Sequence, residues 1–406
     1  MFDPYKIRDD FPILSTTVYG RPLAYLDSGA TAQKPRCVID KVAELMTCSN
    51  ANIHRGVHHL SERMTSEYER ARERVREFIG ARSSEEVIFT SGATAAINTV
   101  AYAWSARYLT AGDNILLSEM EHHSDIVPWQ LAAERHGARI RVLPFDDDGR
   151  LMTELLPELI DSRTRMVAVT QASNTLGTRP DLDAVISAAH AAGAVVLVDG
   201  CQGIVHGGVD VTELGCDFYV FSGHKLYAPT GIGVLYGRRE LLESMPPFMG
   251  GGDMVDKVTF ERTTYAPLPL KYEAGTSDFI GAAALATAMD YLSQFDAAEI
   301  ERHEHGLMMR AEEGLRRIEG LRIYGSCPDK CPIVSFDVEG IHNYDIGMIL
   351  DKLGVAVRTG HHCAAPVMDH YGISGMCRAS IAMYNTAEEI DRLVEGVARA
   401  VRMLGR

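Results

Sequence analysis

The sequence predicts an α/β fold: a large domain on a mostly parallel sheet, followed by a smaller α+β domain. Three observations carry this expectation. Short apolar runs alternate with helix-like stretches, the pattern of strand–helix–strand units. The chain has 406 residues, 46% of them hydrophobic, too long for one ordinary domain and ample for a large core. Beyond about residue 285 the pattern changes to longer helices and shorter strands. The expected division is residues 16–285 for the large domain and 286–406 for the small one, with residues 1–15 packed on the latter.

Taken in order, residues 86–90, 114–117, 166–170, 195–198, 218–221 and 233–236 read as strands, each an apolar run of strand length. Helical runs such as 183–192 lie between them. Residues 246–276 are rich in Gly and Pro and read as a long loop with a domain boundary beyond it. The last helix opens on a capping box, Thr386 with Glu389, and Ile390, Leu393, Val394, Val397, Val401 and Leu404 then keep the spacing of a core-facing stripe.

The net charge of -15 disfavours nucleic acid as a partner and otherwise describes an acidic solvated surface. The eight cysteines follow no regular framework. Cys327 and Cys331 have no second pair at zinc-like spacing, so they read as loop residues rather than metal ligands. The opening Met1-Phe2-Asp3-Pro4-Tyr5-Lys6 lacks an apolar signal core, and no apolar stretch reaches the ~20 residues of a membrane helix. The expectation is a cytoplasmic protein with free thiols and no membrane partner.

Two short motifs carry the chemistry. Ser222-Gly223-His224-Lys225 closes the apolar run 218–221. A lysine drawn in beside a buried strand is costly as an ammonium, and desolvation favours the neutral amine that forms an imine with an aldehyde cofactor. Ser222 and His224 offer polar contacts to a phosphate. Asp199 ends the run 195–198, at a strand's carboxyl end where open α/β sheets bind ligands. There it would pair with a protonated pyridine nitrogen and make the ring an electron sink. Gln202 would reach the ring's phenolic oxygen. Thr90-Ser91-Gly92-Ala93-Thr94 joins a strand to a helix, whose first N–H groups and the Thr94 hydroxyl would hold the phosphate. His122, in Glu121-His122-His123-Ser124, would stack on the flat ring and move a proton.

The second motif is Arg358-Thr359-Gly360-His361-His362-Cys363-Ala364. Arg358, His361 and His362 are cationic or potentially cationic neighbours that would stabilise a thiolate on Cys363. The same run reads alternatively as a metal site, although no acidic or further cysteine ligand stands nearby. Arg378 is a candidate clamp for a substrate carboxylate, which a guanidinium binds bidentately. A cofactor that activates an amino acid, beside a thiol able to attack it, points to removal of sulfur from cysteine.

Together these residues resemble the group II, Suf-type cysteine desulfurases of the class V aminotransferase family. The likeness runs from Tyr25-Leu26-Asp27-Ser28 to Ala382-Met383-Tyr384-Asn385-Thr386. It implies the fold type I of pyridoxal 5'-phosphate (PLP) enzymes, with a seven-stranded sheet and a homodimer whose active sites lie at the subunit interface. Carried over, Lys225 is the Schiff-base lysine, Cys363 the persulfide-forming nucleophile and His122 the ring-stacking histidine. Asp199 and Gln202 match the ring partners, and Thr94, Ser222 and His224 match phosphate contacts. Thr276 matches a phosphate contact donated by the other subunit. Asn174 and Arg378 match substrate-carboxylate contacts, His54-Arg55-Gly56 matches an active-site segment, and His361 belongs to the substrate-binding group. No metal is implied. The resemblance also implies a sulfur acceptor protein, a place in iron–sulfur cluster assembly, and selenocysteine as a second substrate. Tyr344 stands where relatives served by a zinc-bearing acceptor have histidine, which favours a SufE-like acceptor. Two departures stand out: Ala228 where glycine is usual, and Ser277-Asp278-Phe279-Ile280-Gly281 after Thr276.

Three rival readings stand at this level, one of them a catalytically inactive partner subunit, against which the presence of Lys225, Asp199 and Cys363 argues. A PLP transaminase or lyase with an incidental Cys363 would release a keto acid rather than alanine and a persulfide. A metal-binding or redox scaffold on His361, His362 and Cys363 would bind metal and show no imine absorbance.

Overall fold

The computed structural model describes residues 2–405. Its centre is a seven-stranded sheet of β1 (Val87–Thr90), β2 (Asn114–Ser118), β3 (Arg139–Leu143), β4 (Thr164–Thr170), β5 (Val195–Asp199), β6 (Phe218–Ser222) and β7 (Gly233–Gly237), in the order β1-β7-β6-β5-β4-β2-β3. β7 is antiparallel to both its neighbours, and every other pairing is parallel. Every residue of β2, β6 and β7 is buried, which is why these strands read as continuous apolar runs. Gly233 has a steric reason. A Cβ there would stand 2.5 Å from Gly92 Cα, so only glycine lets β7 pass beneath the turn that follows β1.

The second sheet is antiparallel, with β8 (Leu321–Tyr324), β9 (Ile333–Val338), β10 (Arg358–Gly360) and β11 (Met376–Ser380) in the order β8-β9-β11-β10. The helices Ala297–Arg316 and Ala387–Leu404 cover it, with Leu307, Met308 and Leu315 in one core with Ile390, Leu393 and Val397. The capping box forms: Glu389 accepts from the Thr386 N–H at 3.2 Å.

Residue 285 lies inside the helix Phe279–Leu292, which packs on the helices Arg36–Cys48 and His59–Phe78. Ala24–Tyr25 pairs in parallel with Val355–Ala356, and Leu26 sits in the small-sheet core. The first segment ties the two parts together. Arg8 pairs with Glu389 at 2.8 Å, while Phe11 packs among Tyr227, Tyr291 and Tyr384.

Residues 246–276 are not all loop. Val255–Val258 and Thr263–Tyr265 form a hairpin whose polar, exposed strands carry no apolar alternation for sequence reading to detect. The unusual segment after Thr276 caps the next helix. Asp278 accepts from the Gly281 N–H at 2.7 Å, and a Cβ at Gly281 would collide with that carboxylate. Among the described residues all eight cysteines are free, and no helix is long and apolar enough to cross a membrane.

Candidate active site

A cleft of about 240 Å³ opens at the carboxyl ends of β1, β5 and β6, where the small sheet meets the large one. Its walls include Thr94, His122, Asn174, Asp199, Ser222, His224, Lys225, Arg358, Cys363 and Arg378. Ten residues dispersed between positions 94 and 378 of the chain thus converge on one hollow.

Lys225 follows β6, whose backbone is locked by pairing with β5 and β7. Its amino group has no hydrogen bond or salt bridge among the described residues. Asp199, only 6% exposed, accepts from the Cys201 N–H at 2.9 Å and also lacks a cationic partner. A buried carboxylate without a counter-charge is costly, so the cleft is shaped for a cation at that point. The helix Ala93–Tyr108 starts at Gly92 with no side-chain cap; Ala93 N–H donates to Ser222 Oγ at 2.8 Å, and Thr94 Oγ lies 2.7 Å from Ser124 Oγ. Free amine, unpaired carboxylate and uncapped helix start match the aldehyde, protonated ring nitrogen and phosphate of PLP, so the residues present fit that cofactor.

His122 follows β2. Its Nδ1 accepts from the Ser124 N–H at 3.1 Å, which leaves the proton on Nε2. Burial, with Lys225 nearby, pushes this imidazole down to about 4, and the same two causes bring His224 to about 4. Both rings are therefore neutral near neutral pH. Behind Asp199 lie two buried carboxyls, Glu121 and Asp125. Burial raises Glu121 to about 8 and Asp125 well above its ordinary value, with the Glu121 charge nearby raising Asp125 further.

On the opposite wall, Arg378 of β11 is buried, donates from Nη1 to the Asn174 carbonyl at 2.7 Å and meets Asp27 at 3.3 Å. Its Nε has no partner. Asn174 in turn donates from Nδ2 to the His362 carbonyl at 2.8 Å. Cys363 is exposed at the cleft mouth. His362 and Cys363 both adopt the left-handed backbone region, with φ 51° and 55°, at a cost of about 1–2 kcal/mol each.

The expected cationic shell around Cys363 needs correction. His362 is buried, its Nε2 bonds the Met376 carbonyl at 3.1 Å, and burial with Arg378 alongside drives it down to about 3, so it is neutral. Arg358 is a cation, but its Nε and Nη2 grip Asp27 at 3.0–3.3 Å. His361 is exposed, and its Nδ1 accepts from the Cys363 N–H at 3.1 Å.

Other expected residues lie apart from the cleft. Gln202 is buried and donates from Nε2 to the Gly29 carbonyl at 2.8 Å, bracing the Gly29 wall. Thr276 lines a separate hollow of about 310 Å³ with Thr90, Phe248 and Tyr272. His54 meets Glu69 at 3.0 Å and Arg55 meets Asp253 at 2.8 Å, both on the surface. Sequence reading missed Asp27, which binds both arginines, and Lys34, which donates to the His224 carbonyl at 3.1 Å and which burial lowers to about 8. It also missed His123, which touches the Cys363 loop at two points.

The comparisons with known proteins agree with this geometry. The family model described as aminotransferase class V matches residues 24–393. A cysteine desulfurase of Pectobacterium atrosepticum is 51% identical, covering 98% of each chain, and one of Klebsiella pneumoniae is 50% identical over the whole of both. Among solved structures, the cysteine desulfurase CsdA of Escherichia coli in an S-sulfonic acid form matches with TM-score 0.93 and 41% identity over 100% of both chains. The apo cysteine desulfurase of Thermococcus onnurineus matches with TM-score 0.94 and 36% identity, covering 100% of this chain and 99% of that one.

Proposed function

We infer, from the premise that this chain belongs to the class V aminotransferase family, that it is a PLP-dependent cysteine desulfurase. The observation that carries the reading is one cleft holding an unpartnered lysine, a buried unpaired aspartate and an exposed cysteine. Bound PLP supplies an electron sink for charge developing at the substrate Cα.

The protein does the rest. Lys225 would hold the cofactor through its amine, and that amine, once free, would take the substrate Cα proton. Asp199 would pair with the ring nitrogen and keep it protonated. Thr94, Ser222 and His224 hold the phosphate, and Thr276 does so for the other subunit of a homodimer, which suits its place outside its own cleft. Gln202 braces the wall beside the ring. Arg378 and Asn174 bind the substrate carboxylate, the unpartnered Nε of Arg378 being one available donor. His54, Arg55 and His361 act at the substrate entrance formed across subunits. The Cys363 thiolate attacks the substrate sulfur: the new S–S bond forms as the C–S bond breaks, leaving a persulfide on Cys363. His122, neutral with a proton on Nε2, exchanges protons with the departing three-carbon fragment, which leaves as alanine.

A persulfide on an exposed thiol needs an acceptor. Tyr344, 59% exposed on the helix Asn343–Lys352, takes the place of the histidine associated with zinc-bearing acceptors. This favours a SufE-like acceptor thiol in the cytoplasm, feeding iron–sulfur assembly, with selenocysteine as a second substrate. Turnover stimulated only by a zinc-bearing acceptor would sink the acceptor assignment. The primary test is mass spectrometry after incubation of holoenzyme with cysteine. The expected result is one added sulfur on Cys363 with alanine released in step. A keto acid with no adduct would move the activity to a transaminase or lyase.

A further inference from the structure

His123, His361 and Cys363 bring one nitrogen or sulfur atom each within 4.8 Å of one another, the size of a metal chelate. The hydrogen bonds point elsewhere. Cys363 N–H donates to His361 Nδ1 at 3.1 Å, and Ala365 N–H donates to His123 Nε2 at 3.0 Å. A neutral imidazole has a single lone pair in the ring plane. Both lone pairs are therefore occupied, and each ring has only an N–H left to offer. A cation needs lone pairs, so loading this trio with metal would break the bonds that shape the loop.

Those bonds form a clamp. The His123 backbone N–H donates to the Cys363 carbonyl at 2.7 Å, while its ring accepts from Ala365 two residues further on. The segment between them holds the left-handed Cys363 and lies just after the left-handed His362. Two consecutive non-glycine residues in that region relax unless held from outside. Asn174 holds the His362 carbonyl, Met376 the His362 ring, and His123 the Cys363 carbonyl and the Ala365 N–H. The His361 ring stacks on His123 at 5.6 Å and 27°, closing the outer side.

We propose that His123 is a positioning residue for Cys363: its neutral ring and backbone amide pin the nucleophile loop in a strained conformation that holds the thiol at the cleft mouth. This rests on Cys363 being the sulfur-accepting group. His123 itself does not line the cleft, in contrast to its neighbour His122, which does.

Two variants of the holoenzyme test the proposal. His123→Phe keeps a ring but removes the acceptor; His123→Gln places an amide oxygen near the lost Nε2. Amide hydrogen exchange at Ala365 and alkylation of Cys363 by iodoacetamide report the loop without turnover. Steady-state kinetics with cysteine reports its use. In His123→Phe, exchange at Ala365 should rise roughly tenfold, the loss of about one hydrogen bond. Alkylation should change in rate, and kcat should fall with KM for cysteine and cofactor absorbance unchanged. His123→Gln should restore both exchange and kcat. Wild-type exchange at Ala365 in His123→Phe would overturn the clamp. A Gln variant with restored exchange and unrestored kcat would make His123 a proton carrier instead. One equivalent of Zn2+ bound tightly by the wild type, blocking alkylation and lost in His123→Phe, would replace the clamp with a chelate. Because exchange and alkylation do not depend on chemistry, a failure of the desulfurase reading would leave them unchanged and would appear in the persulfide measurement.

Discussion

The buried network at Glu273 offers a prediction whose size follows from the structure. Arg72 and Glu273 side chains are each 1% exposed and meet at 2.7 Å, with a second, parallel bond at 2.9 Å. Tyr68 OH and Phe89 N–H also donate to Glu273, both at 2.7 Å, and Arg72 Nη1 donates to the Val87 carbonyl at 2.9 Å. Removing one partner of such a pair strands a buried charge, at a cost of about 3–5 kcal/mol. Arg72 retains Glu69 at 3.1 Å, so Glu273→Leu belongs at the lower end of that range and Arg72→Met at the upper. Unfolding entropy scales to about 0.85 kcal/mol/K for 406 residues, so a 4 kcal/mol loss lowers Tm by about 5 °C. The double variant leaves neutral donors unpaired but no stranded pair, and should cost no more than the worse single change, a coupling of at least about 3 kcal/mol. Calorimetry on the three variants measures this directly. Glu273 also begins the segment that reaches Thr276, so cofactor titration of Glu273→Leu should show weaker binding. Additive single costs, each below about 1 kcal/mol, would refute the argument by showing that the network is solvated.

Three further outcomes follow. Arg378→Lys loses the planar donor fork and should raise KM for cysteine roughly 30-fold, about 2 kcal/mol of charge-assisted bonding, with a smaller change in kcat in steady-state assays. Glu121, raised to about 8, gives a stability contribution fully present below its ordinary value near 4.5 and lost as pH rises through about 8. In Asp125→Asn the new amide donates to Glu121 and favours its ionised form, so Tm of the cofactor-free protein should fall less between pH 6 and 8.5 than in the wild type; an unchanged decline would remove these carboxyls from the account. Cys363→Ala should keep cofactor absorbance and lose sulfur transfer from cysteine, and full persulfide transfer in that variant would exclude Cys363 as nucleophile.

The elements around the cofactor site were legible because each is local. The buried strand Phe218–Ser222 announces itself by composition, and Lys225 follows within three residues. The same holds for Asp199 at the end of β5 and for the Gly92 turn after β1. What stayed hidden depends on distant sequence. Asp27 looks like any aspartate after a short apolar run until the fold brings it to Arg358 and Arg378, more than 300 residues on. His362 reads as a potential cation because sequence cannot show that Met376 and Arg378 enclose it. His123 is overshadowed by His122, since two adjacent histidines on one turn face different neighbours only in three dimensions. The hairpin of Val255–Val258 and Thr263–Tyr265 escaped detection because its strands are exposed and polar.

The division of labour between the two sheets explains why the hidden residues matter. The large sheet supplies Lys225 and Asp199, while the small sheet and its loops supply Arg378 and Cys363. The proposed sulfur transfer would require both halves in register, because the Cys363 thiol would have to reach an atom held by groups from the other side. Asn174 spans that boundary, giving its carbonyl to Arg378 and its amide to the His362 carbonyl. Asp27 spans it again from the chain's beginning, binding both small-sheet arginines. A displacement of the small sheet would therefore move Arg378 and the Cys363 loop together, keeping their relative geometry while changing their distance from Lys225. His123 acts on the loop alone. The structure thus separates two adjustments, the approach of the whole small-sheet wall and the posture of Cys363 upon it, and assigns them to different residues.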